Sequence, residues 1–237
     1  MVEKDYDKYY EWMNNSFKLQ KKYDLFANYY KKNYLKRIPG NKNIKILDIG
    51  CGMGQFLYFL KKAGYKNIEG FDLDKENVEQ CHKMGFENVV QADMYEYLSK
   101  TKNNYYDLIV MNDIIEHVPR EKTIALLENI RTKLKKGGRF MVKTVNCNNV
   151  YGLSSYFSDF THVTGYNSEK MRHVAMLSGF RRTLVYNLYV LPNIPLIDGF
   201  FKFLFFLTYK IKRLFFYMNG RVSDNVFSKN LLAVLRK

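Results

Sequence analysis

The tightest constraint on the fold lies between Ile44 and Asp74, which read IKILDIGCGMGQFLYFLKKAGYKNIEGFDLD. An apolar run ends in Asp48, a glycine-rich turn follows over 50–54, and a helical pattern starts at once. A second apolar run ends in two acids, Asp72 and Asp74. Glycines at such a turn permit positive φ and let a ligand approach the backbone. The helix start behind them offers unpaired N–H groups. Asp72 falls about 20 residues past the loop, at the tip of the next strand, where a carboxylate can accept both hydroxyls of a ribose. This is a βαβ crossover built for a nucleoside-like ligand. The third glycine stands at 54 and Gln at 55. That spacing departs from the dinucleotide fingerprint and favours a ribose-bearing cofactor without a pyrophosphate.

The pattern continues in the same style. Strands are expected over 44–49, 67–73, 89–92, 107–111 and 139–145, alternating with helices over 55–63, 75–84, 94–99 and 121–134. A helix over 168–177 and strands over 181–191 and 231–235 follow. Such alternation predicts a mostly parallel sheet with helices on both faces. Residues 1–40 read as a separate helical segment that lids the site, and 41–237 as the catalytic domain. An amphipathic aromatic insertion occupies about 192–224.

Composition narrows the partners. A formal net charge of +15 attracts something anionic. Cys51, Cys81 and Cys147 are widely spaced and form no metal-ligand pattern, so they read as free thiols in a reducing compartment. The charged N-terminus lacks the apolar core of a secretory signal, and a cytoplasmic location is expected. The basic, aromatic run around Tyr29 to Arg37 reads as a solvated helix face, and nucleic acid is not an expected partner.

Asp48, Gly50, Gly52 and Gly54 together resemble the first motif of the class I S-adenosylmethionine-dependent methyltransferases. The resemblance runs through about 140 residues at matching intervals. It implies a Rossmann-like fold of seven strands in the order 3-2-1-4-5-7-6, the seventh antiparallel. It also implies S-adenosyl-L-methionine as cofactor, held by Asp48, the loop Gly50-Cys51-Gly52 with Gly54, and Asp72 on the ribose. Cys51 would act through its backbone. Leu73 and Met94 would flank adenine, Asp93 would accept from its amino group, and Asn112 would face the methionine moiety. Lys136-Gly137-Gly138 matches the turn before the fifth strand.

Transfer to a hydroxyl needs a base for its proton. Of four histidines, His117 and His162 fall at the carboxyl edge of the sheet, and Asp159 is spaced to orient His162. The string Asp159-x-Thr161-His162, with Tyr166 and Gly179-Phe180, resembles a subgroup associated with capsule and O-antigen assembly. It implies a carbohydrate or glycan-precursor acceptor, with His162 first and His117 second as base. No metal is expected, since Asp113 and Glu116 alone do not make a metal site. Two alternatives stay open: a methyltransferase of a quinone or other lipid-phase molecule, and a non-catalytic adaptor on the same fold. Residues 196–218 carry charges on one side and bulky apolar groups on the other. That suits peripheral contact with an anionic membrane, at its inner face.

Overall fold

The computed structural model describes residues 19–189, 195–220 and 226–237. Helix α1 (Leu19–Asn33) and a short 3-10 turn (Leu35–Arg37) precede a run of crossovers. These are β1 (Lys45–Ile49), α2 (Gln55–Lys62), β2 (Asn67–Asp72), α3 (Lys75–Lys83), β3 (Val89–Gln91), α4 (Met94–Lys100) and β4 (Tyr106–Asn112). A 3-10 turn (Ile115–His117) leads to α5 (Arg120–Lys133) and β5 (Leu134–Val145). The chain closes with α6 (Val150–Ser158), α7 (Ser168–Leu177), β6 (Arg182–Asn187), α8 (Pro195–Met218) and β7 (Asn230–Arg236).

The seven strands form one sheet in the order β3-β2-β1-β4-β5-β7-β6. All neighbours are parallel except β7, which runs antiparallel to β5 and β6. This is the expected class I order. The central strands read as unbroken apolar runs because both faces are covered. On one face Leu47, Ile49, Ile109, Met111, Phe140 and Val142 pack under α4, α5 and α7 through Leu98, Leu127, Ile130 and Met171. On the other, Ile46, Leu108, Val110 and Met141 pack under α1 and α2 through Tyr30, Tyr34, Phe56 and Phe59. Tyr30 meets Phe56 edge-on, with centroids 4.9 Å apart. Such a pair adds about 0.5–1.5 kcal/mol beyond its buried area.

Three details differ from expectation. β5 starts at Leu134, and Lys136-Gly137-Gly138 is an irregularity inside it, between the pairings Tyr106↔Leu134 and Leu108↔Arg139. β6 ends at Asn187, and the rest of the expected 181–191 strand lies partly outside the described residues. Helix α6 was not among the expected elements. It is started by Asn149, whose side chain accepts from the N–H groups of Tyr151 and Gly152. Gly152 is required in the first turn because a Cβ there would lie 2.2 Å from the Asn146 carbonyl oxygen. That close approach ties α6 to the end of β5. Of the expected 1–40 helical segment, residues 1–18 lie outside the described residues.

Candidate active site

The first half of the site is main chain. After β1 the backbone turns through Gly50, Gly52 and Gly54, all at positive φ. Gly50 is required twice over: its φ is +63°, and a Cβ would stand 2.6 Å from Ile114 Cδ1. Gly52 N–H donates to Asp72 Oδ2 at 2.7 Å, joining the loop to the tip of β2. Asp72 Oδ1 accepts from Asp74 N–H (3.0 Å) and Asn77 Nδ2 (3.2 Å). The carboxylate is thereby held rigidly, and about four lone-pair sites leave it capacity for a ligand. Leu73 beside it is 68% exposed, a bare apolar surface of the kind an adenine ring covers. Met94 is half-buried at the start of α4. Asp93 Oδ1 caps α4, accepting from the N–H groups of Tyr95 (2.8 Å) and Glu96 (3.1 Å). Asp48 is only 2% exposed. Burial, and then the charge of Asp72, push its carboxyl well above the usual range. Cys51 packs its sulfur on Gly70 while its N–H donates to Phe71 O at 3.0 Å.

Two tyrosines of the N-terminal segment, which the sequence did not single out for the site, fasten α1 over this loop. Tyr23 Oη donates to Met53 O. Tyr34 Oη donates to Asn112 Oδ1 at 2.7 Å, so Asn112 is oriented from above. The run around Tyr29 to Arg37 is therefore not the solvated face expected of it: Tyr30 and Tyr34 are buried against α2, and the lysines between them face outward.

The second half is made of side chains. Asp113, just past β4, has φ +55°, a conformation rare outside glycine. Its N–H donates to Lys143 O at 3.0 Å, and its carboxylate pairs with Lys143 Nζ. Burial works against the charge on Lys143, but Asp113 outweighs it and holds the ammonium above its usual range. Glu116 is 1% exposed, its Oε2 has no hydrogen-bond partner among the described residues, and burial pushes its carboxyl up to about 8. The Glu116 carbonyl oxygen accepts from the N–H groups of Val163 (2.9 Å) and Thr164 (3.0 Å). Those two bonds clip the loop after α6 onto the turn after β4.

The clip brings His117 and His162 together, with ring centroids 4.7 Å apart and planes at 53°. His162 Nδ1 lies 3.0 Å from Tyr156 O, and its Nε2 lies 3.8 Å from Asp159 Oδ2. Thr161 Oγ1 donates to Asp159 Oδ1 at 2.6 Å and stands 2.9 Å from His117 Nδ1. Burial, then the neighbouring His162, lower the pKa of His117. Burial opposes the charge on Asp159, yet the Thr161 hydroxyl and N–H hold its carboxyl below the ordinary value. The other two histidines stand apart: His82 Nε2 meets Val89 O at 2.8 Å, and His173 is exposed on α7. Both halves of the site lie at the carboxyl ends of parallel strands, where open α/β sheets bind ligands.

A family model described as "Methyltransferase domain" matches residues 22–184. The chain is 30% identical over 152 residues to the human "Ubiquinone biosynthesis O-methyltransferase, mitochondrial", covering 57% of this chain and 40% of that protein. It is 29% identical over 119 residues to the "Ubiquinone biosynthesis O-methyltransferase" of Hydrogenovibrio crunogenus, covering 48% of each. The chain thus spans less than half the length of these relatives. Among solved structures, a SAM-dependent methyltransferase from Archaeoglobus fulgidus superposes with a TM-score of 0.67 at 21% identity, over 91% of this chain and 94% of that one.

These relatives overturn the expected sugar hydroxyl, the carbohydrate partner and the place in capsule or O-antigen assembly. The physical reason is visible in the motif that suggested them. Gly179, at φ +77°, follows the end of α7, Phe180 is in the core, and Tyr166 is wholly buried. These positions build the scaffold and do not read an acceptor. What the glycine loop, the acidic strand tip and the seven-strand order lead to is broader: the chain belongs to the methyltransferase-domain family, as a class I enzyme whose cofactor is S-adenosylmethionine.

Proposed function

We propose that the chain O-methylates a ring hydroxyl of a quinone precursor or a related small molecule of the lipid phase. The observation that carries this reading is the meeting of His117 and His162 on the cofactor-loop edge of the sheet. The acceptor class follows the names of the relatives. Methyl transfer is an in-line displacement at a carbon activated by sulfonium, so the protein chiefly aligns the reactants. Asp72 takes the ribose hydroxyls, Leu73 and Met94 flank adenine, and Asp93 serves its amino group with the oxygen that does not cap α4. Gly50, Cys51, Gly52 and Gly54 offer backbone, Asp48 supports the loop from below, and Asn112 faces the methionine moiety. Tyr156 O can only accept, so His162 carries its proton on Nδ1 and presents the Nε2 lone pair. That nitrogen takes the acceptor proton as the new C–O bond forms, and Asp159 stabilises the resulting cation.

Helix α1 serves as the lid, through its two tyrosine anchors. Helix α8 touches the domain through Tyr209 and Phe216 on Phe227, leaving Phe200, Phe203, Leu207, Ile211, Leu214 and Phe215 exposed. Among the described residues no helix is long and apolar enough to cross a membrane. Exposed aromatics on a chain of net charge +15 support peripheral contact with an anionic membrane face. Salt-sensitive sedimentation with anionic vesicles is the expected behaviour, and folded protein left in the supernatant at low salt ends that part of the reading.

The test of the reaction supplies labelled S-adenosylmethionine with a polyprenylated dihydroxybenzene and with its hydroxyl-blocked analogue. O-methyl product and S-adenosylhomocysteine should appear in equal amounts with the first alone. Protein that binds the cofactor but turns over neither ring-hydroxyl acceptors nor their water-soluble analogues refutes the proposal.

A further inference from the structure

His117, Asp159 and His162 each present a ligating atom, and these three atoms all lie within 4.8 Å of one another. We propose that this cluster is a binding site for one divalent transition-metal cation of the zinc class. Two imidazoles and one carboxylate are a donor set that binds such ions with coordination positions left open. Ligand atoms about 2.0–2.1 Å from a tetrahedral ion stand about 3.3 Å from each other. His162 Nε2 and Asp159 Oδ2 are 3.8 Å apart, so an adjustment of a few tenths of an ångström closes that edge.

The groups behind the ligands carry the argument furthest. A ligating imidazole donates its other ring N–H to a carbonyl or similar acceptor, which fixes tautomer and ring plane. His162 Nδ1 faces the Tyr156 carbonyl at 3.0 Å. His117 Nδ1 faces the Thr161 carbonyl at 3.3 Å and the Thr161 hydroxyl oxygen at 2.9 Å. That hydroxyl gives its own proton to Asp159 Oδ1 at 2.6 Å, so toward His117 it accepts. Both rings therefore hold protons on Nδ1 and present lone pairs on Nε2. Asp159 Oδ1 is pinned by the Thr161 hydroxyl and N–H, with Oδ2 toward His162. One threonine thus orients two of the three ligands. The cluster is half-buried at the strand edge, so a bound ion keeps open positions toward the crevice.

The use of the ion rests on the methyl-transfer reading, although its binding does not. An ion held by His117, Asp159 and His162 would supply charge that acidifies a neighbouring acceptor hydroxyl, whose proton would pass to water; the C–S bond to the methyl group would break as the C–O bond forms, releasing S-adenosylhomocysteine. In the loaded protein the imidazoles are then ligands, and the ion replaces His162 in lowering the barrier to deprotonation.

The test uses the full chain stripped by a chelator and titrated with Co²⁺ alone, followed by visible d–d absorption and calorimetry. One ion per chain is expected. His117→Ala and His162→Ala should each weaken binding more than about 100-fold, and Thr161→Val about 10–100-fold. His173→Ala, outside the cluster, should leave binding unchanged. Cofactor binding by each variant reports that it is folded. Absence of Co²⁺ binding below millimolar concentration in folded protein, or binding indifferent to both histidine variants, overturns the site. Full methyl transfer by stripped protein that takes up no Co²⁺ defeats the site and spares the reaction. Stoichiometric Co²⁺ binding without methylation of any acceptor does the reverse.

Discussion

The two halves of the candidate site are built from different material. Between β1 and α2 the ligand surface is main chain, shaped by three glycines and one carboxylate. Beyond β4 it is side chain: His117 from one turn, and Asp159, Thr161 and His162 from a loop some 40 residues later in the chain, clipped on by two hydrogen bonds to Glu116. A backbone site resists added atoms but is indifferent to which side chain Cys51 or Met53 carries. A side-chain site behaves oppositely, since its backbone can shift slightly while a single changed group abolishes the chemistry.

The largest expected effect tests whether the halves are separable. His162→Ala should lower turnover about 10²–10⁴-fold, the usual worth of a positioned acid–base group. Its cofactor affinity, read by calorimetry, should stay within about twofold, because no bond links His162 to the loop. Asp72→Ala should instead weaken the cofactor about 10²–10⁴-fold, the loss of two hydrogen bonds to a charged group at about 1.5–3 kcal/mol each. If His162→Ala loosens the cofactor as much as Asp72→Ala does, the two regions form one cooperative unit and the contrast fails.

A smaller effect concerns stability. Gly50→Ala forces a Cβ into the left-handed region, at about 1–2 kcal/mol. It also drives that Cβ into Ile114, and overpacking adds about 1–3 kcal/mol. Chemical denaturation should show a loss of about 2–5 kcal/mol. Asp159→Ala, on the half-exposed loop, should lose less than about 1 kcal/mol. Equal losses would mean that the acceptor loop is as tightly built as the glycine turn.

The same contrast explains what could be read from the chain alone. The strands and helices, the glycine turn and Asp72 are legible because they are local: periodicity and a few glycines specify strand, turn and helix within thirty or so residues. The sheet order is not local, and it was expected only from the resemblance to the class I family. His117 and His162 were legible only as residues at the same edge. Their contact depends on Val163 and Thr164 donating to one carbonyl, and backbone bonds across a loop leave no composition signal. Tyr34 falls in the run expected to be a solvated helix face, yet both it and Tyr23 are wholly buried; a hydroxyl aimed at Met53 O or Asn112 looks the same in sequence as an exposed or a core tyrosine. Lys143, inside the apolar string FMVKTV, was the one missed residue with a visible mark: a lysine in a central strand needs a partner, here Asp113. The sugar-acceptor expectation leaned in part on Tyr166, Gly179 and Phe180, which are a buried ring, a helix end and a core ring and so have packing roles.

The smallest effect probes the floor beneath the glycine turn. Asp48 titrates from 3.8 in the unfolded chain, and its folded value is raised by burial and then by Asp72. Above pH 3.8 the unfolded carboxyl has lost its proton while the folded one retains it. Stability must therefore fall as pH rises from that point, by at most about 1.4 kcal/mol per pH unit, and level off above the folded value. Asp48→Asn keeps the shape and removes the titration, so its stability relative to the parent should climb across the same window. Other buried carboxyls give slopes of the same sign, and the difference between parent and variant isolates this one. Asp72→Asn should narrow the pH window of the Asp48 effect by removing the second cause of the shift. Thr161→Val, in the acceptor half, should leave it unchanged. A parallel pH course for parent and Asp48→Asn would show that the carboxyl beneath the loop is ionised in the folded protein. The backbone half of the site would then be a charged platform, and its difference from the acceptor half would no longer be one of material.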